Sequence, residues 1–407
     1  MNILFINTAY DNGGAASVMR EIKAGIESRG HSASVFTAKT TNVAERVSSK
    51  YSPLRKRISY LMSDDTNFSN SDHILKSEEF SKADIVHCHN LHGWYFNLET
   101  LHKISKIKPV IWTLHDMWAI TPHCAHSFDS PILDGFFSCP NRNIYPKISW
   151  PNEKHLRKRK KHIYEKSDFH IVSPSQWLLD LVNKSILNNK RKTLIYNGVD
   201  TEIFSKTDKL TARTALGLPI NKKIVLFVAD GGKDNMFKGW QYCEDKMKKN
   251  QRNDVINLCI GGSENRIEGN IVFVKSIHDK RTLSYYYSAC DIFMFSSLAE
   301  NMPLVVLEAM SCGTCVVSFD VGGVKEIINH KRNGYLAKYK SADDLFIGLK
   351  MFLEMPADQI KIIQDYAIQT IQKKFDSNRM IDEYISLYGS ILDQAKKYVY
   401  VFYNHPL

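Results

Sequence analysis

Short apolar runs that end in glycine or polar residues alternate with helical patterns through this chain, and this alternation limits its possible folds most strongly. Residues 2–8 form the first run, Gly13 and Gly14 follow it, and a helical pattern extends from Val18 to Ser28. The same order restarts at residues 223–229. Strands that alternate with helices form parallel sheets covered by helices on both faces. The sequence therefore predicts an α/β protein with two Rossmann-like domains.

Chain length and composition agree with that prediction. At 407 residues the chain is too long for one ordinary core. Hydrophobic residues make up 43% and charged residues 24%, as in a water-soluble globular protein. We find neither an apolar run of about 18 residues nor a signal-peptide pattern, so we expect a cytoplasmic protein. The 8 cysteines have no framework spacing and are expected to be reduced, mostly buried thiols.

The formal net charge of +11 predicts an anionic partner. A nucleotide or an acidic lipid headgroup fits better than nucleic acid, because the basic residues lack interleaved aromatic residues and any known nucleic-acid motif. The most basic stretch, residues 153–164, is expected to form the solvated side of a helix. Contact between this helix and the anionic inner face of the plasma membrane is the alternative.

Residues 296–323 carry the clearest chemical pattern. Glu300 lies in a short polar loop, Glu308 lies inside the predicted helix Leu304–Met310, and Pro303 is expected in the first helical turn. The backbone amides expected beside Glu300 belong to Asn301, Met302 and Leu304. A helix N-terminus at a strand end attracts anions, and carboxylates beside it indicate a ligand with hydroxyls next to phosphate, such as a nucleotide sugar. An isolated glutamate pair would instead indicate exposed helix carboxylates.

The context of these two glutamates resembles a known family. They are followed by Gly313-Thr-Cys-Val-Val, Gly322-Gly323 and Asn333-Gly-Tyr-Leu, in the order and spacing of the E-x7-E signature of glycosyltransferase family 4. The stretch TLHDMWAITPHCAHS with Cys139-Pro140 resembles a subgroup that makes bacterial surface polysaccharides of the colanic acid or O-antigen type.

This resemblance implies a GT-B fold, in which two Rossmann-like domains with parallel sheets face each other across a cleft. The segment Asn197-Gly-Val-Asp is similar to the interdomain passage of the family. We therefore expect an acceptor-side domain at residues 1–200 and a donor domain at residues 201–380. A last helix, at about residues 381–407, is expected to return to the first domain. No elements are predicted for residues 40–77.

The resemblance also implies roles for individual residues. Glu308 would bind the ribose hydroxyls of the donor, and Glu300 with the amides after it would bind the sugar hydroxyls. Lys238 would stabilise the charge on the leaving diphosphate, together with the backbone of the first glycine loop. The further residues predicted at the donor site are Gly13, Gly14, Asn197, Asn301, Met302, Pro303, Leu304 and His115, the last beside the donor sugar. The family's usual arginine is replaced by Asp230, and Lys233 is expected to substitute for it.

The predicted activity is sugar transfer from a UDP- or GDP-sugar to a glycan or undecaprenyl-linked acceptor, with retention of anomeric configuration. No distinct nucleophile is visible, so we expect the front-face route, in which the departing phosphate deprotonates the acceptor. No metal or cofactor is expected, since Lys238 and backbone amides can carry the charge and no D-x-D triplet appears. A nucleotide-sugar epimerase and a noncatalytic sugar-nucleotide-binding subunit are the alternatives.

Histidines and cysteines are concentrated between residues 87 and 139. They are His87, Cys88, His89, His92, His115, His123, Cys124, His126 and Cys139. None of their spacings matches a structural zinc pattern, so a zinc site is the less favoured interpretation. His115 is expected to keep an ordinary pKa, either bonded to a sugar hydroxyl or satisfied by Asp116.

Overall fold

The computed structural model of the chain describes residues 1–39, 41–46, 53–67, 71–128, 130–228, 235–249 and 252–404. The chain forms two compact units. The first unit comprises Met1–Tyr196 together with the chain from Met380 onward, and the second comprises Asn197–Arg379.

The first unit contains a seven-stranded sheet and a two-stranded hairpin. Its strands are β1 (Asn2–Ile6), β2 (Ser32–Thr37), β3 (Glu45–Arg46), β4 (Ile85–Cys88), β5 (Val110–Thr113), β6 (Ile132–Leu133), β7 (Phe136–Phe137), β8 (His170–Ser173) and β9 (Lys192–Leu194). The sheet order is β3-β2-β1-β4-β5-β8-β9, and all neighbours are parallel. Strands β6 and β7 form the antiparallel hairpin. Strands such as β4 and β5 are buried along their whole length, as expected for a sheet covered on both faces.

The helices of the first unit alternate with these strands. They are α1 (Gly14–Ser28), α2 (Pro53–Leu61), α3 (Glu78–Lys82), α4 (Leu98–Ser105), α5 (Glu153–Lys166) and α6 (Gln176–Asn183). Helix α6 begins after Ser175, whose side chain caps it by accepting a hydrogen bond from the amide of Leu178. Residues 40–77, for which no elements were predicted, contain the short strand β3 and the helix α2.

The second unit repeats the same arrangement. Its strands are β10 (Lys223–Val228), β11 (Val255–Gly262), β12 (Arg266–Glu268), β13 (Ile271–Lys275), β14 (Ile292–Phe295), β15 (Cys315–Phe319) and β16 (Tyr335–Ala337). The order is β12-β13-β11-β10-β14-β15-β16, with only the edge strand β12 antiparallel to its neighbour. The predicted α/β fold with two parallel-sheet domains is confirmed.

The remaining helices are α7 (Lys209–Leu216), α8 (Gln241–Lys249), α9 (Lys280–Ala289), α10 (Leu304–Ser311), α11 (Val324–Ile327), α12 (Ala342–Glu354), α13 (Ala357–Lys374) and α14 (Ser377–Asn404). From Met380 onward, α14 belongs to the first unit. No helix in the described part of the chain is apolar over a length sufficient to cross a bilayer.

One of the charged residues of the basic helix α5 is buried. Lys160 is fully buried, and its Nζ donates to the carbonyl oxygens of Trp118 at 2.6 Å and Thr121 at 2.9 Å. It also lies 3.5 Å from the centre of the Trp118 ring. Burial lowers the pKa of Lys160, because the cation loses its hydration. The prediction that the whole basic run faces solvent is therefore wrong at this position.

Two of the cysteines also depart from the prediction. Cys124 and Cys139 are joined as a disulfide, while the thiols of Cys88, Cys243, Cys259, Cys290, Cys312 and Cys315 are free and buried. The expectation of reduced cysteines is wrong for this one pair, because the loop between β5 and α5 brings two residues separated by 15 positions together. Among the described residues, no three His, Cys, Asp or Glu side chains are placed to hold a metal ion.

His87 joins the sheet of the first unit to α14. Its Nδ1 lies 2.8 Å from the Tyr388 hydroxyl, and its Nε2 lies 2.8 Å from Oγ1 of Thr113. Burial lowers the pKa of His87 to about 3, so the ring is neutral and uses one nitrogen as donor and the other as acceptor.

Removing the Tyr388 hydroxyl tests this contact. In Tyr388→Phe the His87 Nδ1 loses its partner in a dry environment, so we expect the free energy of unfolding to fall by about 1–3 kcal/mol. Urea unfolding followed by circular dichroism measures it. Tyr366→Phe, at a tyrosine that is 40% exposed, is the matched control and should change stability by less than about 0.5 kcal/mol. Equal stability of the two variants would contradict the role of Tyr388.

Candidate active site

An ion pair occupies the end of β14 in the second unit. Lys238 Nζ lies 2.7 Å from Oε1 of Glu300, and the hydroxyl of Ser297 donates to the same oxygen at 2.7 Å. Both side chains are largely but not completely buried, with 27% of Lys238 and 13% of Glu300 exposed. The structure thus places a cation and a carboxylate together at the carboxyl end of a parallel strand, where doubly wound sheets bind ligands.

The loop that carries Lys238 is fixed against the residues after β14. The Ser296 hydroxyl lies 3.0 Å from the carbonyl oxygens of Lys238 and Gly239, and the amide of Leu298 donates to the Phe237 carbonyl at 2.7 Å. Gly239 has φ +69°, and a Cβ there would lie 1.9 Å from the Ser296 carbonyl oxygen. Only glycine fits this approach, so it determines where the lysine side chain emerges.

Gly322 supports the Glu300 backbone in the same way. Its φ is +56°, and a Cβ at this position would lie 1.9 Å from the Glu300 carbonyl oxygen. The next amide, of Gly323, donates to the carbonyl of Asn301 at 2.9 Å. The Gly-Gly pair of the sequence signature therefore packs under the loop that holds Glu300.

We expect Gly322→Ala to displace that loop. The new methyl group collides with backbone and the residue is strained in the left-handed region by about 1–2 kcal/mol, so both stability and sugar transfer should fall. Thermal unfolding and a transfer assay on the same preparation measure the two effects. Gly262→Ala is the matched control, since a Cβ there meets no described atom within 4 Å. Full activity of Gly322→Ala would contradict the proposed support.

Helix α10 begins directly after this loop. Its first residue is Leu304, and Pro303 is the N-cap with an extended ψ of 118°. The prediction of Pro303 in the first turn is therefore wrong by one residue. Asn301, Met302 and Pro303 have buried side chains, so their contribution to a ligand would come through backbone groups.

Asn197 acts on this loop from the start of the second unit. It is buried, and its Nδ2 donates to the carbonyl of Met302 at 3.1 Å. Asn197 therefore orients the backbone before α10, a role that the sequence did not specify.

Glu308 lies in the second turn of α10. It is partly buried, and its Oε2 accepts a hydrogen bond of 3.1 Å from the hydroxyl of Tyr287 in α9. Burial raises the pKa of the Glu308 carboxyl to about 7, an effect opposed by the Tyr287 hydrogen bond and the charge of Lys280. The sequence did not indicate Tyr287, because nothing in its own pattern distinguishes a tyrosine that packs a helix from one that holds a carboxylate.

In the first unit, His115 pairs with a histidine of the neighbouring strand. Its Nε2 lies 2.7 Å from Nδ1 of His89, and the two rings are stacked with centroids 5.0 Å apart. Burial lowers the pKa of His115 to about 4, so the expected ordinary pKa is wrong. His89 follows β4 and His115 follows β5, two adjacent parallel strands, and this order in the sequence is the signal that could have predicted their pairing.

Asp116 is engaged elsewhere. Its Oδ2 lies 2.7 Å from Nε2 of His92, and its Oδ1 accepts from the amide of Trp118 at 2.8 Å. The alternative in which Asp116 satisfies His115 by a hydrogen bond is therefore not adopted, because the turn after β5 gives the two side chains different hydrogen-bond partners.

The glycine loop after β1 remains open on the side of its Cα atoms. Gly13 is the N-cap of α1 with φ +92°, and Gly14 is the first residue of that helix. A Cβ at either position would meet no atom of the described residues within 4 Å. Lys233 lies outside the described residues, as does Asp230.

Solved structures of other proteins resemble this chain over nearly its whole length. Sucrose-phosphate synthase from Thermosynechococcus elongatus is similar at a TM-score of 0.74 and 18% identity, over 97% of this chain and 99% of that one. Alr3699/HepE of Anabaena, solved in complex with UDP-glucose, is similar at a TM-score of 0.66 and 18% identity, over 95% and 99%. The fold is that of the GT-B glycosyltransferases.

Two models of protein families match the sequence of this chain and identify its family. The model of Glycosyltransferase Family 4 matches residues 12–203, and that of Glycosyl transferases group 1 matches residues 208–370. Together they span most of the chain, which belongs to glycosyltransferase family 4. The predicted family is confirmed.

Relatives with assigned activities agree with this class. WcaC of Escherichia coli K12, provisionally assigned as a colanic acid biosynthesis glycosyl transferase, is 26% identical over 423 residues, covering 96% of this chain and 100% of the relative. A shorter match, 33% identical over 103 residues, covers 25% of this chain and 27% of a Campylobacter jejuni enzyme. That enzyme is named N,N'-diacetylbacillosaminyl-diphospho-undecaprenol alpha-1,3-N-acetylgalactosaminyltransferase.

Proposed function

We propose that this chain transfers a sugar from a nucleoside-diphosphate sugar to a glycan or undecaprenyl-linked acceptor in bacterial surface polysaccharide synthesis, with retention of anomeric configuration and without a metal ion. The observation that carries the proposal is the Lys238–Glu300 ion pair at the end of β14, beside the N-terminus of α10. A diphosphate and a sugar need this combination of cation, carboxylate and backbone amides.

Lys238 would neutralise the diphosphate as it departs. In the structure its ammonium group contacts Glu300, so a bound diphosphate would share or replace that contact. Glu300, still held by the Ser297 hydroxyl, would then accept hydrogen bonds from sugar hydroxyls. The ion pair thus keeps both groups oriented before the donor arrives, which lowers the cost of reorganisation.

Glu308 would bind the ribose. A carboxylate accepts hydrogen bonds from two adjacent hydroxyls at once, and the Tyr287 hydroxyl holds its Oε2 in place. His115, neutral because of its low pKa, would exchange a hydrogen bond with a sugar hydroxyl without adding charge. The parts assigned to Gly13, Gly14 and Lys233 stay predictions.

In the proposed chemistry the bond between the anomeric carbon and the phosphate oxygen breaks. A bond between that carbon and an acceptor hydroxyl oxygen forms on the same face of the sugar. The acceptor proton passes to the departing phosphate oxygen, so no protein base is needed. Positive charge supplied by Lys238 and the α10 amides stabilises the phosphate during this exchange.

Thermal stabilisation by a panel of nucleotide sugars would identify the donor. UDP-sugars come first, since one structural neighbour was solved in complex with UDP-glucose. We expect one donor to raise the melting temperature, and to release nucleotide only when an acceptor is present. Release without acceptor would indicate an epimerase, and binding without release under any acceptor would indicate a noncatalytic subunit.

Two further experiments test the proposed retention of configuration and the proposed independence from metal ions. The anomeric configuration of donor and product, compared by NMR, should be the same, and inversion would contradict the front-face route. Activity should persist after exhaustive treatment with EDTA. Loss of activity that added Mg²⁺ or Mn²⁺ restores would contradict metal independence.

A further inference from the structure

A cavity of about 550 Å³ lies in the second unit between α11, the turn that precedes β16 and the last turns of α13. We call it the α13 cavity. It lies at the amino end of β16, whereas Lys238 and Glu300 lie at the carboxyl end of β14. Strands β14, β15 and β16 are parallel, so the α13 cavity and the candidate active site are at opposite edges of one sheet. A cavity of this volume can hold a small organic ligand.

The charge of the α13 cavity is predominantly positive. Its lining includes four permanent cations, which are Lys325, Arg332, Lys373 and Lys374. Glu326 is the one carboxylate among the described residues of that lining. None of the four cations forms an ion pair with a described residue. Cations that are assembled without counter-charges repel one another, and an anionic ligand would relieve that repulsion.

Helix dipoles explain only part of this charge. Lys373 and Lys374 lie in the last turn of α13, where the partial negative charge of the helix end favours cations. Arg332 lies outside both helices, in the turn before β16, and Lys325 belongs to the four-residue helix α11. The fold therefore brings cations from three separate segments to one cavity.

The walls of the α13 cavity are joined to each other. The amide of Asn333 donates to the Thr370 hydroxyl oxygen at 3.1 Å, and its Oδ1 accepts from the backbone amide of Asn329 at 2.7 Å. The guanidinium carbon of Arg332 lies 4.9 Å from the centre of the Tyr366 ring. These contacts fix the turn against α13, so the cavity and its arginine are oriented before a ligand arrives.

Neutral polar groups complete the lining. Nδ1 of His330 accepts a hydrogen bond of 3.1 Å from the Leu336 amide, so a neutral His330 ring carries its hydrogen on Nε2 and can donate it. Asn329 and Gln369 add side-chain amides, which both donate and accept hydrogen bonds. Such groups are suited to the hydroxyls of a sugar.

We propose that the α13 cavity binds a sugar phosphate. Arg332 and the lysines would bind the phosphate group, since a guanidinium can donate two parallel hydrogen bonds to it. The amides of Asn329 and Gln369 would bind the sugar hydroxyls. The cavity is separate from Lys238 and Glu300, so this site does not depend on the proposed sugar transfer.

Isothermal titration calorimetry with the full chain, without donor or acceptor, tests the proposal. Glucose 1-phosphate and glucose 6-phosphate are the probes, and inorganic phosphate and glucose are the comparisons. At least one probe should bind about 10-fold more tightly than either comparison, and high salt should weaken its binding. Equal affinity for inorganic phosphate would overturn the proposal in favour of a simple anion site. Absence of binding by both probes would also overturn it.

Variants distinguish the α13 cavity from the candidate active site. Arg332→Ala with Lys373→Ala should weaken binding of the hexose phosphate by about 10-fold or more, because charge-assisted hydrogen bonds are lost. Lys350→Ala with Lys361→Ala, at two exposed lysines of the second unit, is the matched control. Lys238→Ala should keep wild-type affinity. Loss of binding in Lys238→Ala but not in the cavity variant would overturn the assignment. Circular dichroism verifies that each variant folds.

Lysine acetylation measured by mass spectrometry locates the ligand directly. At about 10 times its Kd, the hexose phosphate occupies about 90% of the sites, so acetylation of Lys325 and Lys373 should slow by up to about 10-fold. Lys361, on the same helix as Lys373 but outside the cavity, should react at an unchanged rate. Equal acetylation of Lys325 and Lys373 with and without the hexose phosphate would overturn binding at this cavity.

Discussion

Alanine in place of Lys238 is expected to lower kcat for sugar transfer by about 10²–10³-fold, the loss typical when a preorganised group that stabilises developing charge is removed. The ammonium group lies 2.7 Å from Oε1 of Glu300 and the Lys238 side chain is 27% exposed, so a ligand can reach this lysine from solvent. In this variant Glu300 loses the ammonium group as a partner and keeps the hydrogen bond from the Ser297 hydroxyl. Initial rates with saturating donor measure the effect.

Controls separate this effect from loss of folding. Lys350→Ala, at an exposed lysine of the second unit, should keep wild-type turnover. Lys238→Arg should recover part of the rate, since it keeps the charge but changes its geometry. A Lys238→Ala enzyme that folds and transfers sugar at a near-normal rate would remove Lys238 from the mechanism.

Replacing Glu308 is expected to have the second large effect. Glu308→Ala should reduce turnover by about 10²-fold or more. The contact with the ribose lies away from the reacting bond, but its binding energy helps to position that bond. Glu308→Gln keeps the size of the side chain but loses one of the two acceptor oxygens, so its donor affinity should fall while the fold stays intact. Glu354→Gln, at an exposed glutamate, is the matched control. Unchanged kinetics in Glu308→Gln would contradict ribose binding.

The pH dependence of the donor reaction provides an independent test. Burial raises the pKa of Glu308 to about 7, so its carboxylate form predominates only above that pH. The kcat/KM for the donor should therefore rise between about pH 6 and pH 8, because this parameter reports groups of the free enzyme. In Glu308→Gln that rise should disappear. An identical pH profile in both enzymes would assign the titration to another group.

The raised pKa of Glu308 also affects stability. Activity should rise with pH, whereas the stability that Glu308 contributes should fall. The folded value of this pKa lies above the ordinary 4.5, so between those two values the native state binds more protons than the unfolded chain. The Glu308 contribution to stability is therefore lost as pH rises from about 4.5 to about 7. We expect Glu308→Gln to raise the melting temperature relative to wild type at about pH 8 more than at about pH 5. Calorimetry at the two pH values measures the difference.

Several local predictions failed for one physical reason. A hydrogen bond from Asp116, its neighbour in sequence, was one of two alternatives for His115, but Nε2 of His115 lies beside Nδ1 of His89 from the adjacent strand. Lys160 was expected to face solvent with the other basic residues of α5, but it is buried and donates to the carbonyl oxygens of Trp118 and Thr121. Local sequence gives the chemistry of a side chain, whereas its partner depends on which elements pack together.

The sequence by itself determined the alternation of strands and helices outside residues 40–77, the division into two α/β domains and the family, because period, turn residues and spaced motifs are local properties. It also indicated Glu300, Glu308 and Lys238 as the residues of interest. Only the tertiary structure decided that Lys238 contacts Glu300, that Tyr287 holds Glu308 and that Arg332 lies over the ring of Tyr366. These pairs are formed by residues far apart in the chain, and their distances, burial and pKa values exist only once the elements have packed.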